Sequence, residues 1–346
     1  MKKVLTILLI GALLMASIPA VVYAGQGSVT GHGKGGNTKP VVTSVTLVTA
    51  SDDTEVVAMT PLSAYRVKAT VGDVNTIDDI EYIMFYVYYD GTSSTSWDAD
   101  EYAIFKWDKS AGWSMENGGA TTTWEIVGID CIAPTDFSGT PGDWYLKFKP
   151  GKLAQAVDTQ TWKCKVKAYD EKPGGSATEV WATGSTMSAY SAVAFDTATI
   201  TLGDAVEGIE PGATGYITDP VTNELTVQVT TNDSYALGVQ SDATWDDGGS
   251  NSITLAEGTG IPAGSGEFNL EIDNEESGAP GQPATGAAVT SSNVTILGFE
   301  TKPRVSTTET AAEGTSDADM YMAMSLSLAG IQEVTYSGTI TFTVTN

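Results

Sequence analysis

The run Thr161-Trp-Lys-Cys-Lys-Val-Lys-Ala-Tyr-Asp170 alternates strictly. Trp162, Cys164, Val166 and Ala168 fall on one side; Lys163, Lys165, Lys167 and Tyr169 fall on the other. A period of two belongs to a strand with one buried and one solvated face. A helix would scatter the three lysines around its circumference. The run ends at Asp170-Glu-Lys-Pro-Gly-Gly175, where Pro and Gly impose a turn.

The same grammar recurs along the chain. Val41–Thr49 reads as a first strand, and 64–72 alternates Tyr65, Val67, Ala69 and Val71 against Arg66, Lys68 and Thr70. In 81–90, Ile83, Phe85 and Val87 form one face, while Tyr82, Met84, Tyr86 and Tyr88 form the other. Both faces are apolar or aromatic, which predicts a central strand covered on both sides. Further strands are expected at 102–107, 122–129 and 144–149 and near 177–183, with a helical turn at 152–157. Past Phe195 the composition changes. From residue 25 to 195 there are 13 basic and 21 acidic residues; from 196 on there are two basic and 22 acidic ones. That shift places a boundary at 194–197. The later part again reads as strands, at 198–202, 224–230, 235–241, 266–272, 294–299, 321–328 and 336–344. Short strands punctuated by turns predict an all-β chain of two antiparallel β-sandwich domains in tandem, 41–195 and 196–346.

The first 24 residues read as a signal peptide. Lys2-Lys3 precede the apolar run 4–16, and Val22-Tyr-Ala24 is a small-x-small cleavage signal, so cleavage is expected after Ala24. The alternative is a retained membrane anchor, which the short apolar run and Pro19 disfavour. Residues 25–40 form a Gly-rich flexible tail. It contains a G-x-G-x-x-G match at Gly31, Gly33 and Gly36, but with no strand before it or helix after it the match is no dinucleotide fingerprint.

The formal charge is −26, and it becomes −28 once Lys2 and Lys3 are removed. Such a chain repels nucleic acid and anionic membranes, and neither is an expected partner after signal cleavage. The only histidine, His32, lies in the tail, so Ser-His-Asp, Cys-His and His-metal chemistry have no footing. A carboxylate pair of the glycosidase kind needs only two acids, and sequence cannot pick two from 43. Calcium is the expected metal if one binds, because hard oxygen ligands suit it. The candidate ligands are Asp98, Asp100 and Glu101, and Asp317 and Asp319, read as acidic loops; 246–247 and 273–276 are further acidic clusters. The plain alternative for each is a solvated turn.

Cys131 and Cys164 are the only cysteines. In an exported chain they are expected to form one disulfide, the alternative being two buried thiols. Two surfaces are candidates for interaction. Tyr82, Tyr86 and Tyr88 share a strand face with Trp97, Trp107 and Trp113 nearby; they could stack on a glycan or pack beneath the domain's own loops. Lys147, Lys149, Lys152, Lys163, Lys165 and Lys167 would form one basic patch if their strands pair. That patch could meet the acidic later part of a neighbouring copy, or merely keep a sheet soluble.

The segment Trp162–Asp170 resembles the late strand of immunoglobulin-like and fibronectin-type domains in secreted prokaryotic surface proteins. The segments 226–239 and 336–344 resemble the sandwich domains of adhesin-type and WxL-like cell-surface proteins. The second domain lacks the Trp-x-Leu pair of the latter, so their wall binding is not implied. The resemblance implies Ig-like sandwiches and an extracellular location. The function expected is that of an exported, non-enzymatic subunit of a surface layer, filament or adhesin assembly. A carbohydrate-binding module is the alternative, and a glycoside-acting enzyme is a distant third.

Overall fold

A computed structural model describes residues 38–90, 101–116, 124–170, 180–182, 184–204, 206–219, 223–278, 280–305 and 315–346. The expected signal segment, its cleavage site after Ala24 and the tail up to residue 37 lie outside them. Residues 38–346 belong to one unit.

The regular structure of the described residues is β, apart from two single-turn 3-10 helices at Ile77–Asp79 and Gly128–Asp130. In chain order the earlier strands are β1 (Val41–Thr49), β2 (Ala58–Met59), β3 (Tyr65–Gly72), β4 (Ile80–Tyr89), β5 (Tyr102–Asp108), β6 (Gly112–Met115), β7 (Glu125–Ile126), β8 (Pro141–Lys149), β9 (Val157–Asp170), β10 (Val180–Trp181) and β11 (Ser185–Met187). They form a four-stranded sheet, β1-β3-β8-β7, and a larger one, β2-β11-β9-β4-β5-β6, with β10 added on β9. The later strands are β12 (Ser191–Phe195), β13 (Thr201–Leu202), β14 (Thr214–Asp219), β15 (Leu225–Thr231), β16 (Ala236–Ser241), β17 (Thr244–Asp246), β18 (Ser252–Leu255), β19 (Glu267–Asp273), β20 (Ala287–Val289), β21 (Val294–Thr295), β22 (Ser316–Leu326) and β23 (Ile340–Thr345). They form a large sheet, β12-β15-β22-β19-β18-β17, carrying β13, β14 and β20, and a small one, β21-β16-β23. Pairing is antiparallel throughout except for β2 with β11 and β18 with β19.

Alternation decides what each sheet buries. Val67, Ala69 and Val71 of β3 and Trp144, Leu146 and Phe148 of β8 point to one side of the four-stranded sheet. Ile83, Phe85 and Val87 of β4, Phe105 of β5, and Trp162, Cys164, Val166 and Ala168 of β9 do so from the larger sheet. All of them are buried in one apolar cluster. Burying each large side chain contributes about 1.5–3 kcal/mol relative to leaving it exposed. A second cluster draws Val227 and Val229 from β15, Leu237 and Val239 from β16, Phe268, Leu270 and Ile272 from β19, and Met320, Met322 and Met324 from β22. Each cluster is shared by two sheets.

Some expectations change. The strand expected over 122–129 is only β7 among the described residues, ending in the 3-10 turn at Gly128. The helical turn expected at 152–157 is instead a tight turn, with Ala154 N–H donating to Gly151 O, and β9 begins at Val157. Leu153 explains the difference: it leaves its own half and packs in the second cluster. The boundary also moves. β12 lies just before the composition shift, yet it pairs with β15 along its whole length.

The two halves meet at Asn232, which follows β15 and is fully buried. Its Nδ2 donates to Ala154 O (2.6 Å) and Ser188 O (3.0 Å), and its Oδ1 accepts Tyr190 N–H (2.7 Å). Its backbone N–H reaches Tyr190 O, and its carbonyl accepts Ala156 N–H. Beside this knot the buried Glu101 meets Arg304 at 3.6 Å.

Candidate interaction surfaces

The outer face of the larger early sheet is built by β4, β5 and β9. Register places Tyr82 opposite Tyr169 and Asp108, Met84 opposite Lys167 and Lys106, and Tyr86 opposite Lys165 and Ile104. Tyr82 and Tyr169 stack with centroids 4.4 Å apart. Lys106 Nζ lies 4.9 Å from the Tyr82 ring, Lys165 4.7 Å from Tyr86, and Lys167 5.5 Å from Tyr169. Each ammonium over a partly exposed ring contributes about 0.5–1 kcal/mol, and the lysine stems cover apolar ring area. The surface is thus a half-buried aromatic and cationic sheet face. Tyr88, expected on it, lies on this side by register but is only 1% exposed.

Asp108 fixes one corner. Ser110 donates to its carboxylate through both Oγ and N–H, and Lys106 lies 2.9 Å away. The Ser110 hydroxyl and the Lys106 ammonium together hold the Asp108 carboxyl well below the usual carboxylate range. A depressed folded pKa stabilises above the unfolded value, about 3.9, and that contribution is lost as pH falls through the folded value. In urea melts the stability gap between the parent and Asp108→Asn is therefore expected to be widest near neutrality and to close below about pH 3. A gap unchanged with pH would contradict this.

The expected single lysine patch does not form. Lys147 and Lys149 are on β8 of the four-stranded sheet, whereas Lys163, Lys165 and Lys167 are on β9 of the other. Facing sheets turn their polar sides in opposite directions. Local partners also engage the ammonium groups. Lys147 meets Asp130 at 2.5 Å, Lys149 meets Glu125 at 2.8 Å, and Lys163 meets Asp90. Trp107 is buried in the first cluster and Trp113 packs against it; Trp97 lies outside the described residues.

The acidic candidates also resolve differently. Asp98 and Asp100 lie outside the described residues, and Glu101 is turned into the Arg304 contact. Asp317 and Asp319 stand on the exposed face of β22, a strand rather than a loop, with Thr226 Oγ1 donating to Asp319 at 3.1 Å. Two positions along a strand separate their carboxylates by about 7 Å of backbone. Asp247 accepts from Gly249 N–H and from Asn251, and Asp273 from Thr285 and Glu275 N–H, as turn-forming acids do. Among the described residues no three His, Cys, Asp or Glu gather as a metal site.

The expected Cys131–Cys164 disulfide is absent, and both are free thiols. Cys131 Sγ is held by the backbone of β8, accepting Lys147 N–H at 3.2 Å, while Cys164 points into the core from β9. Burial pushes the Cys164 thiol up to about 12, and burial raises Cys131 as well. Since the thiolate is the reactive form, alkylation of the native protein should leave Cys164 unmodified and modify Cys131 slowly. Unfolding without reductant should then expose two alkylatable thiols by mass; finding none would restore the disulfide.

Sequence reasoning missed the sheet edges. Among the described residues β12 pairs only with β15, and β1 pairs with β3 and, at its end, bridges Glu55, with a β-bulge between Val42 and Ser44. Neither Val-Val-Thr-Ser-Val-Thr-Leu-Val-Thr49 nor Ser-Ala-Val-Ala-Phe195 holds a charge. Edges are normally blunted with Lys, Pro or other charges. In β12, Asp196 N–H reaches Thr226 O and Tyr190 O accepts Asn232 N–H. Even-numbered residues therefore bond to β15, and Ser191, Val193 and Phe195 turn their backbone groups outward. Both sides of β12 are largely exposed, and Phe195, 41% exposed, sits 5.6 Å from Phe342 of β23, another uncharged edge. The missing signal was available: the charge-free run 191–195 joins a half with 22 acids.

No family model matches the chain, and no curated protein matches it. Among solved structures it aligns with one described as "Chaperone-tip adhesin complex is vital for synergistic activation of CFA/I fimbriae biogenesis". Identity is 10%, covering 92% of this chain and 93% of that one, with a TM-score of 0.20, too low to indicate a shared fold.

Proposed function

We propose that this chain is an exported, non-enzymatic structural protein of the cell surface, a subunit of a layer, filament or adhesin assembly. Its two sheet pairs serve as tandem Ig-like sandwich domains behind a cleaved signal peptide. The observation that supports this reading is the charge-free edge strand β12, paired on one side only among the described residues, in so acidic a chain. A monomeric secreted protein gains nothing from leaving such an edge open, and risks aggregation. Cross-linking intact cells with an amine-reactive reagent tests it. The expected result is a ladder of high-mass species containing this chain in the surface fraction. Recovery of the chain solely as monomer inside the cell would refute the reading.

The Tyr82–Tyr169 pair with Lys106, Lys165 and Lys167 favours a second reading, glycan binding with a preference for anionic sugars. Titration with anionic and neutral polysaccharides, followed by aromatic fluorescence, separates the two. A saturable change lost in Tyr82→Ala supports the glycan reading, and a flat titration removes it.

A further inference from the structure

We infer that Asn293 is a modification site, the amide that takes an N-linked oligosaccharide once the chain is exported. The inference rests on the exported reading above and goes beyond it.

The sequence holds two Asn-x-Ser/Thr triplets with a residue other than Pro in the middle, Asn232-Asp-Ser234 and Asn293-Val-Thr295. This triplet is the acceptor signal for N-glycosylation of a secreted chain, and it works only at the surface. The fold separates the two. Asn232 is fully buried, and both atoms of its amide are engaged where the halves meet. A sugar on that nitrogen would break the join. Asn293 is exposed, and so is Thr295, whose hydroxyl is the second half of the signal.

The local structure presents the acceptor. Thr290 Oγ1 donates to Ser292 O at 2.7 Å and Ser291 N–H donates to Glu257 at 2.8 Å, which shapes the turn just before Asn293. The Asn293 amide rests over Gly238 of β16, where glycine leaves it room: a Cβ there would come within 2.6 Å of Nδ2. β21, the strand that follows, is two residues long and pairs only with β16 among the described residues. So short an edge strand opens locally at little cost, which lets a transferase draw the triplet into its own site. β23 is the other edge of this small sheet, and it is β23 that lies beside β12. A glycan at Asn293 would therefore blunt β21 on the side away from β12.

The transfer is a substitution at carbon. Asn293 Nδ2 attacks the anomeric carbon of an oligosaccharide carried on a lipid phosphate. The C–N bond forms and the C–O bond to phosphate breaks. The lipid phosphate leaves, and one amide proton passes to a base of the transferase.

Peptide mapping of the chain from the surface fraction of the cells that make it tests this. Cleavage after Glu puts the two triplets on separate peptides, 225–257 and 277–300. The expected result is added mass on 277–300 that fragments to sugar ions and localises to Asn293, with 225–257 unmodified. Thr295→Ala should abolish the added mass although Asn293 remains, and Thr295→Ser should keep it. An unchanged melting temperature in both variants separates loss of the signal from loss of the fold. A surface-fraction chain whose 277–300 peptide has only its amino-acid mass overturns the inference and leaves the export reading standing. Sugar on Asn232 instead of Asn293 overturns it as well. A chain found only inside the cell and without sugar overturns both readings.

Discussion

Asn232→Ala is expected to destabilise the protein by about 2 kcal/mol and to split its unfolding into two transitions. The substitution removes the partners of the buried carbonyl of Ala154 and of two part-buried groups, the carbonyl of Ser188 and the N–H of Tyr190. A buried group left unsatisfied costs about 1–3 kcal/mol. All three belong to the first half of the chain, so their loss loosens the join rather than either core. Asn232→Asp should be no milder, because it turns an acceptor toward two carbonyls. Differential scanning calorimetry reads both effects. A single unshifted transition in either variant would show that the join carries no load.

Trp162→Ala should cost about 3–5 kcal/mol, the usual range for deleting a buried tryptophan. Trp162 is 1% exposed, its ring lies 5.7 Å from Trp124 and 5.9 Å from Tyr89, and its Nε1–H donates to Gln155 O. The cavity would open where β9 faces the four-stranded sheet. Trp162→Phe keeps a ring and loses the hydrogen bond, so about 1 kcal/mol is expected beyond its smaller volume term. A denaturant midpoint for the alanine variant within error of the parent would contradict the packing described.

Both residues show what could be read from sequence. Trp162 was legible because strand alternation is local: the side chains at 162, 164, 166 and 168 are all buried, and the intervening lysines are not. The central place of β4 was equally plain, but its second face, expected to be covered, is a half-buried outer face. Asn232 was not legible. It sits in Thr-Thr-Asn-Asp-Ser, which reads as an exposed turn, and only the convergence of residues 154, 188 and 190 buries it. Sheet membership was likewise hidden. Period two tells which face Lys147 and Lys163 share with their neighbours, but not which strands pair, and the lysine patch depended on that. The boundary was drawn where charge changes, whereas pairing pulls β12 into the later sheet. Asp317 and Asp319 looked like loop ligands because an exposed strand face and a loop have the same polarity. The disulfide followed from compartment and pairing number, whereas the fold engages Cys131 Sγ with the backbone of Val127 and Lys147 and leaves both thiols free.

The uncharged, one-sided edge of β12 is expected to make this chain associate with copies of itself. Negative-stain electron microscopy of the purified exported chain, raised stepwise in concentration, tests it most directly. Linear chains or sheets that lengthen with concentration are the expected result. A uniform field of single particles at the highest concentration reached would contradict it.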